Sequence, residues 1–161
     1  MRPAGGYNKT MKKKARVASS VSNRRARRDY ELGDSFVVGI QLTGAETKSL
    51  RLGHGQLTGA YVTVKDNELW LVNAQIMPSQ GVPIDENGQT RSRKLLAKRK
   101  EIDKLIVQKQ GGLTIVPLEI ITKGRFIKVR IALAKGKKQW DKRETLKQRQ
   151  QQRDIERATR I

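Results

Sequence analysis

Cysteine is absent from the 161 residues, so the chain forms no disulfide and offers neither a thiolate nucleophile nor a thiolate metal ligand. No run is long and apolar enough to span a bilayer, and the basic stretches lack the Trp/Phe/Leu face of an interfacial helix. The N-terminus carries charge without an apolar h-region, so no secretory signal is expected and the cytoplasm is the expected compartment. The single histidine, His54, sits in Gly53-His54-Gly55 with no His or Cys companion, and reads as a loop residue. Lys135-Gly136-Lys137-Lys138 lacks the upstream glycine and the hydroxyl of a phosphate-gripping P-loop. Acidic residues are too dispersed for a two-metal nuclease site. These absences together predict a non-enzyme without metal or cofactor.

What the chain has in excess is positive charge: 35 Lys and Arg against 15 Asp and Glu, a formal net charge of +20. Such a balance opposes compaction by self-repulsion unless a polyanion supplies counter-charge, and nucleic acid is the first candidate. The length suits one domain with a modest core plus tails. Three segments are expected: a basic, disordered arm over 1–22, a packed RNA-binding body over 23–134, and a basic tail over 135–161. The arm shows no periodicity and reads equally as a solubilising tail or an electrostatic arm for RNA. After it, Asn23-Arg24-Arg25-Ala26-Arg27-Arg28-Asp29-Tyr30 leads into apolar sequence, which sets Arg24, Arg25, Arg27 and Arg28 against the body. Their planar forks can grip phosphate or stack on a base there.

Alternation predicts a strand over 35–42, with Phe36, Val38, Ile40 and Leu42 on one face and Gly39 allowing close approach. A short helix over 44–53 follows, whose Glu46, Lys48 and Arg51 read first as a solvated face with an ion pair. Strands over 57–65 and 68–76 join at Asp66-Asn67 as a hairpin, with Trp70 favoured as a packing residue over a base-stacking platform. A long loop covers 77–91. The apolar stripe Leu95, Leu96, Ile102, Leu105 and Ile106 predicts a long helix over 94–110, flanked by Arg91, Arg93 and Lys94 facing phosphate. Strands over 113–121 and 125–133 form a second hairpin around Lys123-Gly124, expected to carry a primed turn. Many short strands with hairpin turns suggest a small antiparallel barrel or sandwich, and a partly open barrel of the oligonucleotide-binding type suits the size and charge.

Asn23-Arg24-Arg25-Ala26, the run Leu42-Thr43-Gly44-Ala45-Glu46-Thr47-Lys48-Ser49-Leu50-Arg51, Arg91-Ser92-Arg93-Lys94-Leu95-Leu96, Gly112-Leu113-Thr114-Ile115-Val116-Pro117-Leu118 and Ala134-Lys135-Gly136-Lys137-Lys138-Gln139-Trp140-Asp141-Lys142-Arg143 together closely resemble the small protein B family. The likeness runs in order over 23–160. It implies a mainly β protein, an oligonucleotide-binding (OB) type antiparallel barrel of six strands with packed helices. It also implies two partners, transfer-messenger RNA, held by its tRNA-like domain, and the ribosome stalled without a codon, to which that RNA is delivered in trans-translation. No membrane partner is implied, and a monomer is expected. Asn23, Arg24, Glu46, Lys48, Arg93, Lys94, Leu96 and Gly136 match positions tied to RNA binding, and Arg25, Arg51, Arg91, Lys135, Lys137 and Lys138 are grouped with them. Trp140, Asp141, Lys142 and Arg143 match a tail motif for tagging, which with Lys147, Arg149, Arg153 and Arg157 would enter the decoding centre and the empty mRNA channel. Free, the tail is expected to be mostly disordered, because Leu146, Ile155 and Ala158 are too sparse for a docking stripe, and on the ribosome it is expected to be helical. The sequence departs from the family pattern at Arg28, Val37, Thr47, Gly88-Gln89, Ala97 and Lys98. The Val37 departure weighs most, a glutamate of the RNA-binding surface being usual there. A ribosomal protein or rRNA-assembly factor with a similar barrel is the alternative.

Overall fold

The computed structural model describes residues 20–159. In order these form β1 (Ser20–Ser22), α1 (Ala26–Asp29), β2 (Tyr30–Ile40), α2 (Gly44–Arg51), β3 (Gly55–Gln56), β4 (Tyr61–Lys65) and β5 (Glu68–Val72). Then come β6 (Gln75–Ile76), α3 (Glu86–Gln89), β7 (Arg93–Leu96), α4 (Arg99–Gln110), β8 (Thr114–Ile121), β9 (Lys128–Gly136) and α5 (Gln139–Thr159). The fold is mainly antiparallel sheet with helices, as expected. Pairings run β4-β5-β7-β2-β9-β8, and β8 returns to β4 through the single residue pair Val62–Ile115. The ring is therefore closed by one bridge and is not a uniformly laddered barrel. β1 lies along the same edge of β8, and β3 and β6 make a separate two-stranded ladder.

Alternation sends Leu69 and Leu71 of β5, Leu95 of β7, Ile115 and Ile120 of β8, and Val129, Ile131 and Leu133 of β9 into one core. Leu50 of α2 and Ile102 and Leu105 of α4 cover it. Glycine at 39 lets β7 approach β2: a Cβ there would stand 3.2 Å from the Cβ of Leu96.

Three expectations change. Ser20–Ser22, assigned to the arm, pair with Glu119, Ile120 and Ile121, so the body starts at residue 20; residues 1–19 lie outside the described residues. The helix expected over 94–110 begins only at Arg99. Residues 93–96 are a strand, because Leu95 and Arg93 alternate inward with Lys94 and Leu96 outward between β5 and β2. Adjacent Leu95-Leu96 mimics a helical stripe, and tertiary pairing overrides it. The connection around Lys123-Gly124 is a loop over 122–127, not a two-residue turn. The tail is a helix over Gln139–Thr159, the form expected of it on the ribosome. That helix contains no Gly or Pro, carries Asp141 in its first turn and Arg157 in its last, and pairs Gln150 with Asp154 at 3.0 Å. Leu146 and Ile155 stay exposed, so local propensity rather than apolar docking forms it.

The β4–β5 turn carries both central residues left-handed, Asp66 at φ 53° and Asn67 at φ 59°, as a primed turn requires. Replacing Asn67 by valine should cost about 1–2 kcal/mol, since a β-branched residue is strained there, whereas glycine should be neutral or mildly stabilising. Urea denaturation of the two variants measures the difference; equal midpoints would deny the turn its role.

Candidate nucleic-acid interface

The interface starts from one asparagine. Asn23 donates its backbone N–H to the Leu118 carbonyl at 2.7 Å and its side-chain amide to the Pro117 carbonyl at 3.0 Å, while its Oδ1 accepts the Ala26 N–H at 3.2 Å. Pro117, unable to donate to a ladder, sits where β8 slips register against β9, so the bulge presents carbonyls and Asn23 takes them. Asn23 thus staples α1 to the ring and is a structural residue more than a free RNA ligand. Lys137 holds the other end, donating its N–H to the Asp29 carbonyl and its ammonium to the Arg27 carbonyl. A four-residue helix is thereby fixed with Arg24, Arg25 and Arg27 exposed.

Two hollows of about 370 Å³ flank α1. One gathers Arg24, Arg27, Arg130 of β9 and Arg149 of α5 around a single carboxylate, Glu119, which Arg130 already pairs at 2.9 Å. Three guanidinium groups there have no carboxylate of their own within the hollow, so it favours an anion such as phosphate. The other is lined by Arg25, Tyr30 and Tyr61, with Tyr61 exposed on β4. A cation beside two phenol rings suits a nucleotide, by charge on one side and stacking on the other. Arg130, Tyr30 and Tyr61 were not singled out by sequence; the outward half of the strand alternation holds Arg130 and Tyr61.

A second constellation is buried. Glu46, 2% exposed, accepts Nε of Arg91 at 2.7 Å and Nε of Arg93 at 3.0 Å on one oxygen, and the Thr43 N–H and an Arg91 terminal nitrogen on the other, at 2.9 and 2.6 Å. Thr43 reciprocates by accepting the Glu46 N–H, a capping box that starts α2. Arg93 has no exposed surface and spends its other donors on the carbonyls of Ala74, Gly88, Gln89 and Arg91. Two expectations are corrected: Arg93 cannot grip phosphate, because it has no exposed surface, and Glu46 does not lie on a solvated helix face, because it is buried. Glu46 orients Arg91, whose side chain is 37% exposed. Burial alone would raise the Glu46 carboxyl, but hydrogen bonds from Arg91 and the Thr43 backbone, with the charge of Arg93, hold it below the ordinary carboxylate value. Burial pulls the Arg93 guanidinium down, against the opposing pull of Glu46.

The remaining matched residues divide between surface and scaffold. Lys48, Leu96, Lys135, Gly136 and Lys138 are exposed, and Lys94 is partly covered by its 2.5 Å pair with Glu68. Arg51 makes no solvated ion pair; it donates to the carbonyls of Thr122, Gly124 and Arg125. Along the tail, Asp141 and Lys142 are half-buried where α5 leaves the body, with Lys142 3.8 Å from Asp29, while Arg143, Lys147, Arg153 and Arg157 face solvent. Trp140 lies within α5, at its second residue. Among the described residues no cluster of His, Cys, Asp and Glu could hold a metal, and no helix is long and apolar enough to cross a membrane.

Replacing Glu46 by alanine strands the buried Arg93 charge and should cost about 3–5 kcal/mol. Because the folded carboxyl is depressed below its ordinary value of 4.5, its stabilisation is present above that pH and is lost as pH falls through the lower folded value. Glu46→Gln should flatten that acid limb in urea titrations between neutral pH and about pH 3. An unchanged limb would mean that the carboxylate does not anchor the network.

Residues 20–161 match the family model described as SmpB protein. An "SsrA-binding protein" of Trichormus variabilis is 51% identical over 138 residues, covering 84% of this chain and 89% of that relative. Its counterpart in Chlorobium chlorochromatii is 44% identical over 143 residues, covering 88% and 91%. A chain of a solved structure described as "tmRNA-SmpB: a journey to the center of the bacterial ribosome" superposes with a TM-score of 0.64 at 41% identity, over 76% of this chain and 87% of that one. With a family model spanning nearly the whole chain and relatives this similar over most of their length, the protein belongs to the SmpB family.

Proposed function

We propose that this protein binds the tRNA-like domain of transfer-messenger RNA and carries it to stalled ribosomes for trans-translation. It acts as a cytoplasmic adaptor without chemistry of its own. The observation that carries the reading is the hollow beside α1, where four arginines from α1 and its approach, β9 and α5 converge on one carboxylate, in a chain whose relatives bind SsrA RNA. Phosphate contacts there would fix the orientation of the RNA, and the flat rings of Tyr30 and Tyr61 would take an unpaired base. Arg24, Arg25, Arg27, Lys48, Arg91, Lys94, Lys135, Lys137 and Lys138 supply charge; Asn23 fixes α1 beside Arg24 and Arg25, Glu46 and Arg93 fix Arg91, and Arg51 fixes the loop over 122–127. Leu96 and Gly136 shape the surface.

The tail has a separate task. α5 exposes Arg143, Lys147, Arg153 and Arg157 along a helix able to enter a channel walled by RNA phosphate once mRNA is missing. Trp140 would stack on a base of the decoding centre.

Sequencing the RNA that co-purifies with the protein tests the reading: one substoichiometric RNA with a tRNA-like fold is expected. Stoichiometric recovery with ribosomal subunits would instead mark a ribosomal protein. Truncation before Gln139 should leave tight binding to transfer-messenger RNA, losing only the phosphate contact of Arg149, while tagging of stalled chains fails. Loss of RNA affinity as severe as the loss of tagging would overturn this division of labour. Arg24→Gln and Arg27→Gln should each lower the salt dependence of binding by about one released counterion per phosphate contact.

A further inference from the structure

The loop over 122–127 belongs to none of the surfaces above. Its ends are buried through Thr122 and Ile127, and between them Lys123, Gly124, Arg125 and Phe126 stand in solvent, the phenylalanine 69% exposed. Gly124, at φ 101°, allows the backbone to turn there without strain. A loop of this kind would ordinarily be loose. Here Arg51, from the last turn of α2, donates to three of its backbone carbonyls: Thr122 at 3.1 Å, Gly124 at 3.0 Å and Arg125 at 2.9 Å. The Arg125 guanidinium carbon lies 5.4 Å from the Phe126 ring centroid. The loop therefore presents an aromatic ring with a cation against it, on a backbone clamped from a separate element.

We infer that Arg125 and Phe126 form a stacking platform for one unpaired RNA base, with Arg51 as the positioning residue that keeps the platform in place. A lone exposed phenylalanine is ordinary on a protein surface. What distinguishes this one is its setting. The clamp removes loop entropy before binding, the guanidinium supplies cation–π attraction to ring and base, and Lys123 supplies charge for the adjoining phosphate. The platform stands beyond the end of β8 that pairs with Ser20, whereas α1 is stapled near Pro117 and Leu118, so it extends the RNA footprint beyond α1. The inference rests on the RNA-binding function proposed above.

The test is equilibrium binding of the full chain to transfer-messenger RNA over a series of salt concentrations. Phe126→Ala should weaken binding by about five- to hundred-fold, as loss of one stacked base does, with the salt slope unchanged because no charge is removed. Phe126→Leu should lose as much as alanine, and Phe126→Trp should bind as well as wild type or better. Arg51→Ala should weaken binding, and combining it with Phe126→Ala should add little, since both act through the same ring. Leucine or alanine at 126 binding like phenylalanine would overturn the platform; fully additive losses at 51 and 126 would overturn the positioning role. Failure of the wild-type chain to bind transfer-messenger RNA would instead reject the proposed function and leave the platform to be judged by the same variants on the RNA that does co-purify.

Discussion

The buried carboxylate of Glu46 is the interaction on which the joint between α2, α3 and β7 depends. It joins the start of α2 to the residues leading into β7, and through Arg93 it gathers the carbonyls of Ala74, Gly88 and Gln89. An arginine with no solvent contact is tolerable only when its charge is matched and its donors are filled, and both conditions are met here. The same carboxylate fixes Arg91 at the surface, so one buried anion sets the position of an exposed cation. In a chain with twenty excess positive charges, holding cations at defined points costs electrostatic energy in the free protein. That cost is recovered when phosphate arrives.

Residues matched to an RNA-binding family thus divide into two kinds by what their side chains bond. Asn23, Glu46, Arg51 and Arg93 hold elements in register, while Arg24, Arg25, Lys48 and Arg91 reach outward. Losing a member of either kind would weaken RNA binding, and only the outward ones should alter its salt dependence, because only they release counterions.

How far the sequence foretold this arrangement follows from which signals are local. Strand alternation was legible in β2, β5, β8 and β9 because one face of each is buried. The Asp66-Asn67 turn was legible because its residue types tolerate positive φ. Residues 93–96 were read as helix because Leu95-Leu96 abuts a genuine helical stripe, and the pairing that makes them a strand involves residues some 25 and 55 positions away. The Glu101 carboxylate accepting the Lys98 N–H at 3.0 Å was the local mark of where α4 begins. Buried Arg93 and Glu46 could not be separated from surface ions by type, since both residues are usually exposed. The α5 helix was expected only on the ribosome because its apolar residues were weighed as a docking stripe, whereas its charges and its lack of Gly and Pro sustain it.

The departure at Val37 acquires a physical meaning in the structure. Val37 of β2 lies directly across from Arg130 of β9, and both side chains are exposed. A glutamate at 37, usual in the family, would face that guanidinium across the ladder and compete for it. With valine there, Arg130 turns to its other neighbour and pairs with Glu119 of β8. The choice matters because Arg130 and Glu119 both line the arginine-rich hollow beside α1. A carboxylate on β2 would draw Arg130 toward the far side of β9 and add a negative charge near it. Valine leaves the ion pair in the hollow and the net charge of that region one unit more positive than glutamate would.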